Sequence, residues 1–284
     1  MRYEIIHEIT CGNLADILDL KILGNQDQII KKIGNLEHSG SNVLKFSKHK
    51  TNTKIEGILI GPNECEAESL IVSNNPRLDF CLALTNLIDS GTLVLVDHPP
   101  KIHESARIAD SAIIHSGVCI GKDSIIEDNV VIHHGTIIGD NSIIRSNSVI
   151  GAQGFGFEKN QKDRWIRFPH LASVKIGNNV ELGALNSVCV GALEDTIIYD
   201  GVKTDNLVHI AHNCTIGENT ILTACTELSG SVSIGKNVWM GPNSSVMQKI
   251  VINDDVTVGL GSVVIRDIEK GHTVAGVPAR IIKK

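Results

Sequence analysis

Large apolar residues recur at every sixth position through most of this chain of 284 residues. A period of six matches neither an α-helix nor the two-residue alternation of a half-buried strand. It is typical of hexapeptide repeats, in which three short strands form one coil of about 18 residues and the repeating residue points inward. The repeating positions are Ile102, Ile108, Ile114, Ile120, Ile126, Ile132, Ile138, Ile144 and Ile150, then Ile198, Thr204, Ile210, Ile216, Leu222, Leu228, Ile234, Met240, Val246, Ile252, Val258 and Val264. We therefore predict a mainly β protein with a left-handed parallel β-helix over residues 101–265.

Glycine, asparagine or aspartate follows many of the repeating positions. Gly217 and Asn219, for example, follow Ile216. Because these residue types tolerate the backbone dihedrals of tight corners, we expect them at the corners between strands. Thr204 is the one repeating residue that is not large and apolar.

The first 95 residues lack the six-residue period and predict a small α/β domain. The predicted elements are helices at Cys11–Asp19 and Asn75–Leu87 and buried strands at Gly57–Gly61 and Ser69–Val72. Gly91–Pro100 has the composition of a linker, and residues 266–284 form a short polar and basic tail.

Two segments depart from the period. Residues 152–175 form an insert rich in aromatic residues, including Phe155, Phe157 and Trp165, and a second slip lies around Gly191–Asp195. A loop that leaves a solenoid usually carries function or an interface. The alternative is an insert that only covers a neighbouring coil.

Composition narrows the function classes. The net charge of -6 gives no reason to expect nucleic-acid binding. Met1–Asp19 lacks the apolar core of a signal peptide, and no stretch approaches the roughly 18 apolar residues of a membrane span. The seven cysteines are odd in number and lack CxxC spacing, which is typical of reduced thiols. We expect a cytoplasmic protein without a transmembrane segment.

The best candidate for a catalytic site is the segment from Asp205 to Asn213, which contains His209 and His212. Histidine accepts a proton near neutral pH, and His212 follows the inward residue Ile210, so it lies at a corner. Gly230 lies 18 residues further on, one full coil, so its backbone N–H should face His212 and could donate to an oxyanion. Asp205 is a candidate to orient the imidazole.

Two other functions are open to such a chain. A zinc hydratase would draw its ligands from His115, His133, His134, His209 and His212. These histidines lie in different coils, and adjacent residues point in different directions, so we expect no metal. A non-catalytic trimeric scaffold is the other alternative, but a spacer needs neither the paired histidines nor a separate α/β domain.

Three motifs resemble one enzyme family. They are Ile210–Asn213 (IAHN) with Asp205-Asn206 upstream, Gly154–Phe157 (GFGF), and Gly191–Thr196 (GALEDT). Together they resemble LpxD, the UDP-3-O-acylglucosamine N-acyltransferases of lipid A synthesis, and the resemblance extends over most of the chain up to about residue 265. The segment HIAHNCTIG also resembles the related O-acyltransferases, LpxA.

The resemblance implies a homotrimer that moves an acyl group from a thioester to the amine of a nucleotide-linked amino sugar. It implies that His212 is the base and that the Gly230 backbone is the oxyanion donor. The N-terminal domain would bind the nucleotide base, with Phe46 stacking on uracil. The family has a second aromatic just after this position, where this chain has Ser47–Lys50, so His49 is the candidate replacement. We add Phe155, Phe157, His209 and Asn213 as candidate substrate-binding residues.

The C-terminal tail changes the expected donor. The helical C-terminal region of the LpxD family is not present in this sequence, and the tail GVPARIIKK resembles sugar acetyltransferases that use acetyl-CoA. Arg280, Lys283 and Lys284 are candidate contacts for CoA phosphates. We therefore expect acyl-CoA as co-substrate, no bound cofactor, and a role in surface-polysaccharide synthesis. The alternative is lipid A synthesis with a 3-hydroxyacyl chain on acyl carrier protein.

Overall fold

The computed structural model describes residues 2–283, which divide into two compact units. The first unit comprises Tyr3–Leu95 and Phe155–His170, and the second comprises Arg2, Val96–Gly154 and the chain from Leu171 onward. The insert predicted as part of the β-helix domain is thus grouped with the N-terminal unit. The C-terminal tail, predicted as a separate segment, is grouped with the β-helix.

The first unit is a small α/β domain. Helix α1 spans Cys11–Ile17, with Thr10 as its N-cap in a capping box with Asn13, and helix α2 spans Pro76–Asp89. A five-stranded sheet has the order Ile22–Gly24, Ala67–Val72, Ile55–Gly61, Val43–Phe46 and Lys32–Ile33. Only the first of these strands is antiparallel to its neighbour. The predicted helices and strands are present, with small shifts at their ends.

Two antiparallel pairs complete this unit. Tyr3–Ile5 pairs with Leu93–Leu95, so part of the segment predicted as a linker is a strand. The insert forms a hairpin in which Phe157–Lys159 pairs with Trp165–Arg167.

The second unit is a parallel β-helix with three sheets. The first sheet contains Lys101–Ile102, Cys119–Ile120, Ile137–Ile138, Val174–Ile176, Thr196–Ile198, Thr215–Ile216, Ser233–Ile234 and Val251–Ile252. The second contains Arg107–Ile108, Ile125–Ile126, Ile143–Ile144, Glu181–Leu182, Lys203–Thr204, Ile221–Leu222, Trp239–Met240, Thr257–Val258, Thr273–Ala275 and Arg280–Lys283. The third contains Ile113–Ile114, Val131–Ile132, Val149–Ala152, Ser187–Cys189, His209–Ile210, Glu227–Leu228, Ser245–Val246 and Val263–Val264.

The predicted period sets the register of these sheets. Ile120 pairs with Ile138 and Ile216 with Ile234, so strands 18 residues apart are neighbours. The repeating residues from Ile120 onward are buried and form one apolar column, whereas Ile102 at the first strand is 40% exposed. Each buried isoleucine contributes about 1.5–3 kcal/mol relative to exposure, so the column stabilises the β-helix.

Asparagine and glycine meet different structural requirements at the positions that follow the repeating residues. Asn219 has φ 59° and Asn237 has φ 57°, the left-handed conformation expected at a corner. Gly217, in contrast, has no positive φ; a Cβ built on it would lie 2.5 Å from the backbone of Gly235 in the next coil. The expectation that glycine serves the corner dihedrals is therefore wrong at Gly217, where close packing between coils requires it.

The polar repeating residue Thr204 has a partner inside the β-helix. Its hydroxyl donates to Oδ1 of the buried Asn186 at 3.1 Å and accepts from the Gly183 N–H at 3.0 Å. The Asn186 amide in turn donates to the Gly183 and Asp205 carbonyls at 2.6 and 2.9 Å. The exception in the period is thus part of a satisfied polar network.

The tail continues the β-helix. Thr273–Ala275 pairs in parallel with Thr257–Val258, and Arg280–Lys283 folds back antiparallel to it. Within residues 2–283, neither the length nor the hydrophobicity of any helix reaches what a membrane crossing requires.

Candidate functional site

The residues that follow the strands of the third sheet form one edge of the β-helix, which we call the third corner. His212 follows His209–Ile210 at this corner, and Gly230 follows the adjacent strand Glu227–Leu228. A Cβ atom built on Gly230 would lie 2.6 Å from Cε1 and 2.7 Å from Nε2 of His212. The structure therefore places Gly230 against the imidazole, as the spacing predicts.

The Gly230 amide is available beside this imidazole. Its carbonyl accepts a hydrogen bond from the Lys249 N–H at 3.0 Å, but no group in residues 2–283 accepts one from its N–H. A backbone N–H next to a base is the arrangement that stabilises an oxyanion in acyl transfer. The catalytic roles of both residues remain predictions.

Asn213 determines which nitrogen of His212 carries the proton. The Asn213 Oδ1 lies 3.0 Å from His212 Nδ1 and also accepts a hydrogen bond from the Ala192 N–H at 3.0 Å. The Asn213 Nδ2 donates to the Glu194 carbonyl at 2.9 Å, which fixes the orientation of the amide. Because an amide oxygen can only accept, Nδ1 of His212 donates and Nε2 is the basic nitrogen.

The segment Gly191–Thr196 supports this arrangement. Thr196 Oγ1 accepts a hydrogen bond from the Asn213 N–H at 2.9 Å. Asp195 accepts one from the Ser173 N–H at 2.8 Å and pairs with Lys175 Nζ at 2.7 Å. Burial by itself raises the pKa of the Asp195 carboxyl, but these contacts outweigh it and hold the pKa below its usual range. Asp195 is thus an ionised anchor for the segment that holds Asn213.

Asp205 lies at a different corner from His212. It follows Lys203–Thr204 of the second sheet, and its Oδ1 accepts a hydrogen bond from the Asn206 N–H at 2.7 Å. The structure does not bring Asp205 to His212 within the chain. The side chain at Nδ1, where Asp205 was expected, is Asn213, for which we had predicted a substrate contact.

His209 is half-buried on the strand that leads into the third corner. It pairs with Ser187 on one side and Glu227 on the other, and its side chain points away from the core because Ile210 points inward. The side chain of His209 therefore lies on the outer surface of the β-helix, and its contact with substrate remains a prediction.

Phe46 lies in an aromatic cluster of the first unit. Its ring centroid is 4.7 Å from that of Phe80, which is fully buried, and 6.5 Å from that of Phe168. Phe46 itself is half-buried, and His49 is exposed three residues further along. One side of the Phe46 ring is therefore supported by Phe80, which suits a platform for a planar base.

The insert brings two further candidates together. Phe155 is 85% exposed, and its ring meets that of Phe157 edge-on with centroids 5.0 Å apart. The Arg167 guanidinium lies 4.6 Å from the centroid of Phe157. The two phenylalanines form one small aromatic group, and their contact with substrate remains a prediction.

The candidate donor-binding residues lie at the C-terminal end of the β-helix. Arg280 and Lys283 are exposed on the last strand, and Lys284 lies outside the described residues. Arg280 lines a cavity of about 470 Å³ together with Arg266, His272 and an apolar floor that includes Ile268. Asp267 and Glu269 line the same cavity, so its charged groups are of both signs, and binding of a thioester donor there remains a prediction.

No three His, Cys, Asp or Glu side chains within residues 2–283 are arranged to hold a metal ion.

A family model described as bacterial transferase hexapeptide (six repeats) matches residues 120–152. The match supports the predicted left-handed parallel β-helix. The solved UDP-N-acetylglucosamine acyltransferase of Francisella novicida is 25% identical, with a TM-score of 0.54 over 64% of this chain and 68% of that chain. About two thirds of this chain therefore has a fold similar to that of a solved acyltransferase.

Curated relatives extend the similarity to most of the chain. The UDP-3-O-acylglucosamine N-acyltransferase of Herminiimonas arsenicoxydans is 44% identical over 128 residues, which cover 45% of this chain and 36% of that protein. The protein of the same name from Coxiella burnetii is 34% identical over 262 residues, which cover 82% of this chain and 75% of that protein. This chain thus matches about a third of the length of the first relative and three quarters of the second.

Proposed function

The chain belongs to the family of UDP-3-O-acylglucosamine N-acyltransferases, and from this premise we propose that it is an N-acyltransferase acting on a nucleotide-linked amino sugar. The donor is an acyl thioester, and the acceptor is the sugar amine. The observation that carries this proposal is the pairing of the His212 imidazole with the unoccupied Gly230 N–H.

The relatives favour lipid A synthesis over surface-polysaccharide synthesis. Both are named for UDP-3-O-acylglucosamine, so our first expectation of a polysaccharide sugar and an acyl-CoA donor has less support than its alternative. We therefore propose UDP-3-O-acylglucosamine as acceptor and a 3-hydroxyacyl chain on acyl carrier protein as donor. Acyl-CoA is the second candidate donor, because Arg266 and Arg280 line one cavity at the C-terminal end of the β-helix, although Asp267 and Glu269 line it too.

The proposed reaction uses the site as follows. The sugar amine attacks the thioester carbonyl carbon while Nε2 of His212 takes a proton from the nitrogen. The carbonyl oxygen becomes an oxyanion, which accepts a hydrogen bond from the Gly230 N–H. The C–S bond then breaks, and the leaving thiolate takes the proton from the imidazolium. Asn213 keeps Nδ1 as the donor throughout, so that Nε2 is the nitrogen that receives the proton.

A thiol-release assay tests the proposal. Purified protein receives UDP-3-O-acylglucosamine, or another UDP- or dTDP-linked amino sugar, with either 3-hydroxyacyl carrier protein or an acyl-CoA. We expect turnover with the carrier-protein donor and a loss of about 10²–10⁴-fold in His212→Ala. The matched control is His103→Ala, an exposed histidine in the first coil whose Nδ1 lies 2.9 Å from Ser105 Oγ.

Other outcomes of this assay have distinct meanings. Turnover with acyl-CoA alone would restore the polysaccharide interpretation. Equal activity in His212→Ala and the wild type would remove His212 as the base. Absence of turnover with every donor and acceptor, in a folded protein, would favour the scaffold alternative.

We also propose that the protein is a cytoplasmic homotrimer. The support for assembly is the hexapeptide-repeat β-helix itself, an architecture that this chain shares with a solved UDP-N-acetylglucosamine acyltransferase. Light scattering should give three times the 30.6 kDa mass of the chain. A monomer at micromolar concentration would contradict the assembly, and recovery in a membrane fraction would contradict the location.

A further inference from the structure

A second group of histidines lies on the third corner, away from His212. His115 follows Ile113–Ile114, and His133 and His134 follow the neighbouring strand Val131–Ile132. Two strands of the third sheet separate this neighbouring strand from His209–Ile210. At the usual spacing between strands, the group lies roughly 14 Å along the axis from His212.

The three imidazoles face one another at short range. The rings of His115 and His133 are nearly parallel, with an interplanar angle of 6° and centroids 5.0 Å apart. The ring of His134 is 4.6 Å from that of His115 and tilted by 35°. All three residues are half-buried, so a small solute can reach their ring edges.

A buried arginine adds positive charge to the group. Arg2 is 6% exposed, and its Cβ lies 2.8 Å from the position that a Cβ on Gly135 would occupy. Burial lowers the pKa of His133 and His134, and the charges of His115 and Arg2 lower both further. Asp97 is the one acidic residue that acts against this trend, at His134. Arg2 is thus the permanent positive charge of the group, and its surroundings make His133 and His134 less ready to take up a proton unless an anion is present.

We infer that His115, His133 and His134, together with Arg2, form a binding site for a phosphate or diphosphate group. Imidazolium and guanidinium N–H groups are charge-assisted donors for phosphate oxygens. An anion between these side chains relieves the repulsion that the cluster creates when its histidines are protonated. The same side chains are not arranged as metal ligands within residues 2–283, so an anion is the favoured ligand.

Binding at this site is coupled to protonation. The groups involved are the three imidazoles, the guanidinium of Arg2 and the carboxylate of Asp97. The histidines bind protons more readily when an anion is present, and by linkage the anion binds more tightly when they are protonated. Affinity for phosphate therefore rises as the pH falls from 8 to 6.

The source of the phosphate group is a separate matter. The diphosphate of the proposed acceptor lies only a few bonds from the sugar amine, so it cannot reach this site while the amine reacts at His212, roughly 14 Å away. We therefore expect a free phosphate or diphosphate ion as the occupant.

Calorimetric titration tests the site directly. The full chain is titrated at pH 6 and pH 8, at one fixed ionic strength, with inorganic phosphate, pyrophosphate and UDP. We expect pyrophosphate to bind at least about tenfold more tightly at pH 6 than at pH 8. The variant His133→Gln/His134→Gln should lose this pH-dependent binding, whereas the control His103→Gln should retain it.

Three results overturn the inference: equal affinity in the wild type and in the double variant, affinity that does not change with pH, or binding of Zn²⁺ in place of pyrophosphate. The single variant His115→Gln is measured in parallel, because the double variant could fail to fold. We expect His115→Gln to weaken pyrophosphate binding by several-fold.

Steady-state kinetics then separates this site from the proposed function. Because a free anion is the expected occupant, His133→Gln/His134→Gln should leave both KM for the nucleotide sugar and kcat close to those of the wild type; a raised KM would show that the acceptor's diphosphate does reach this site. If pyrophosphate binding is lost while KM is unchanged, a free anion is the source. If His212→Ala abolishes transfer and still binds pyrophosphate, the two sites are independent; if no transfer occurs in any variant, only the proposed function fails.

Discussion

At the scale of single residues, glycine serves two purposes in this protein. Gly151 has φ 85°, which an L side chain rarely adopts, whereas Gly230 has an ordinary backbone and is needed for space. Its missing side chain allows the imidazole of His212 to lie against the backbone of the next coil. An 18-residue spacing identifies this pair from the sequence, because neighbouring coils place such residues directly above one another.

Substitution of Gly230 should therefore impair catalysis through His212. In Gly230→Ala the new Cβ would lie 2.6 Å from Cε1, so the imidazole must move. Since a displacement of about 1 Å can cost about 10²-fold, we expect kcat/KM to fall by roughly that factor. The control is Gly261→Ala, where the added Cβ meets nothing within 4 Å although φ is 62°. If both variants kept wild-type kcat/KM, the close contact would have no catalytic significance.

Asn213 should set the pH profile of the reaction. In Asn213→Asp a carboxylate replaces the amide oxygen 3.0 Å from His212 Nδ1, and this negative charge stabilises the positive charge that the base carries after it takes a proton. The acidic limb of the kcat/KM profile should therefore move to higher pH, by roughly one unit or more.

Asn213→Ala is the matched comparison for this shift. It removes the acceptor without adding charge, so it should lower kcat without moving the limb upward. A limb that stays in place or moves to lower pH in Asn213→Asp would show that this side chain does not act on the base.

At the scale of elements, the period of six was sufficient to predict the β-helix and its register. It could not predict that the insert groups with the first unit, because Phe168 meets Phe46 and Phe80 only after folding. It also could not identify Asn213 as the partner of His212, since Gly191–Thr196 must first fold against it. The sequence did contain one signal for the location of the site. Both departures from the period follow strands of the third sheet, and in that sheet these strands lie between the strand before His133 and the strand before His212.

Thr204, the polar repeating residue in the core, allows the stability of the β-helix to be tested. Thr204→Val keeps the shape of the side chain but leaves Asn186 Oδ1 without the hydroxyl that donates to it, whereas the Gly183 N–H keeps the carbonyl of residue 204 at 3.0 Å. Because unsatisfied buried polar groups are costly, we expect a loss of about 1–3 kcal/mol in the free energy of unfolding, measured by urea denaturation. The exposed Thr257→Val, in the same sheet, should change it by less than about 0.5 kcal/mol. A gain in stability at Thr204→Val would mean that apolar burial outweighs the network.

At the scale of the whole molecule, the functional groups are distributed along one edge of the β-helix. The third corner carries His115, His133 and His134 near one end, His212 with Gly230 further along, and Arg266 at the cavity near the other end. A solenoid can present such a row because each coil repeats the same corner about 4.8 Å further on.

The histidine group should also govern how the stability of the molecule changes between pH 8 and pH 5. The pKa values of His133 and His134 are lowered from 6.5 in the folded chain, so the unfolded chain binds protons more readily. Their contribution to stability is complete above pH 6.5 and is lost as the pH falls through the folded pKa values. The carboxyl pKa of Asp195 is also lowered, but from 3.8, so its effect belongs to more acidic solutions.

Urea denaturation in a phosphate-free buffer isolates this effect. The midpoint for the wild type should fall as the pH falls from 7 to 5, and His133→Gln/His134→Gln should flatten the decline because glutamine does not titrate. His103→Gln, an exposed histidine, should follow the wild type. If the denaturation midpoint changed with pH in the same way in the wild type and the double variant, repulsion within the histidine group would have no effect on the free energy of unfolding. Addition of pyrophosphate provides the complementary test, because an anion that neutralises the cluster should restore the midpoint at pH 5 in the wild type but not in the double variant.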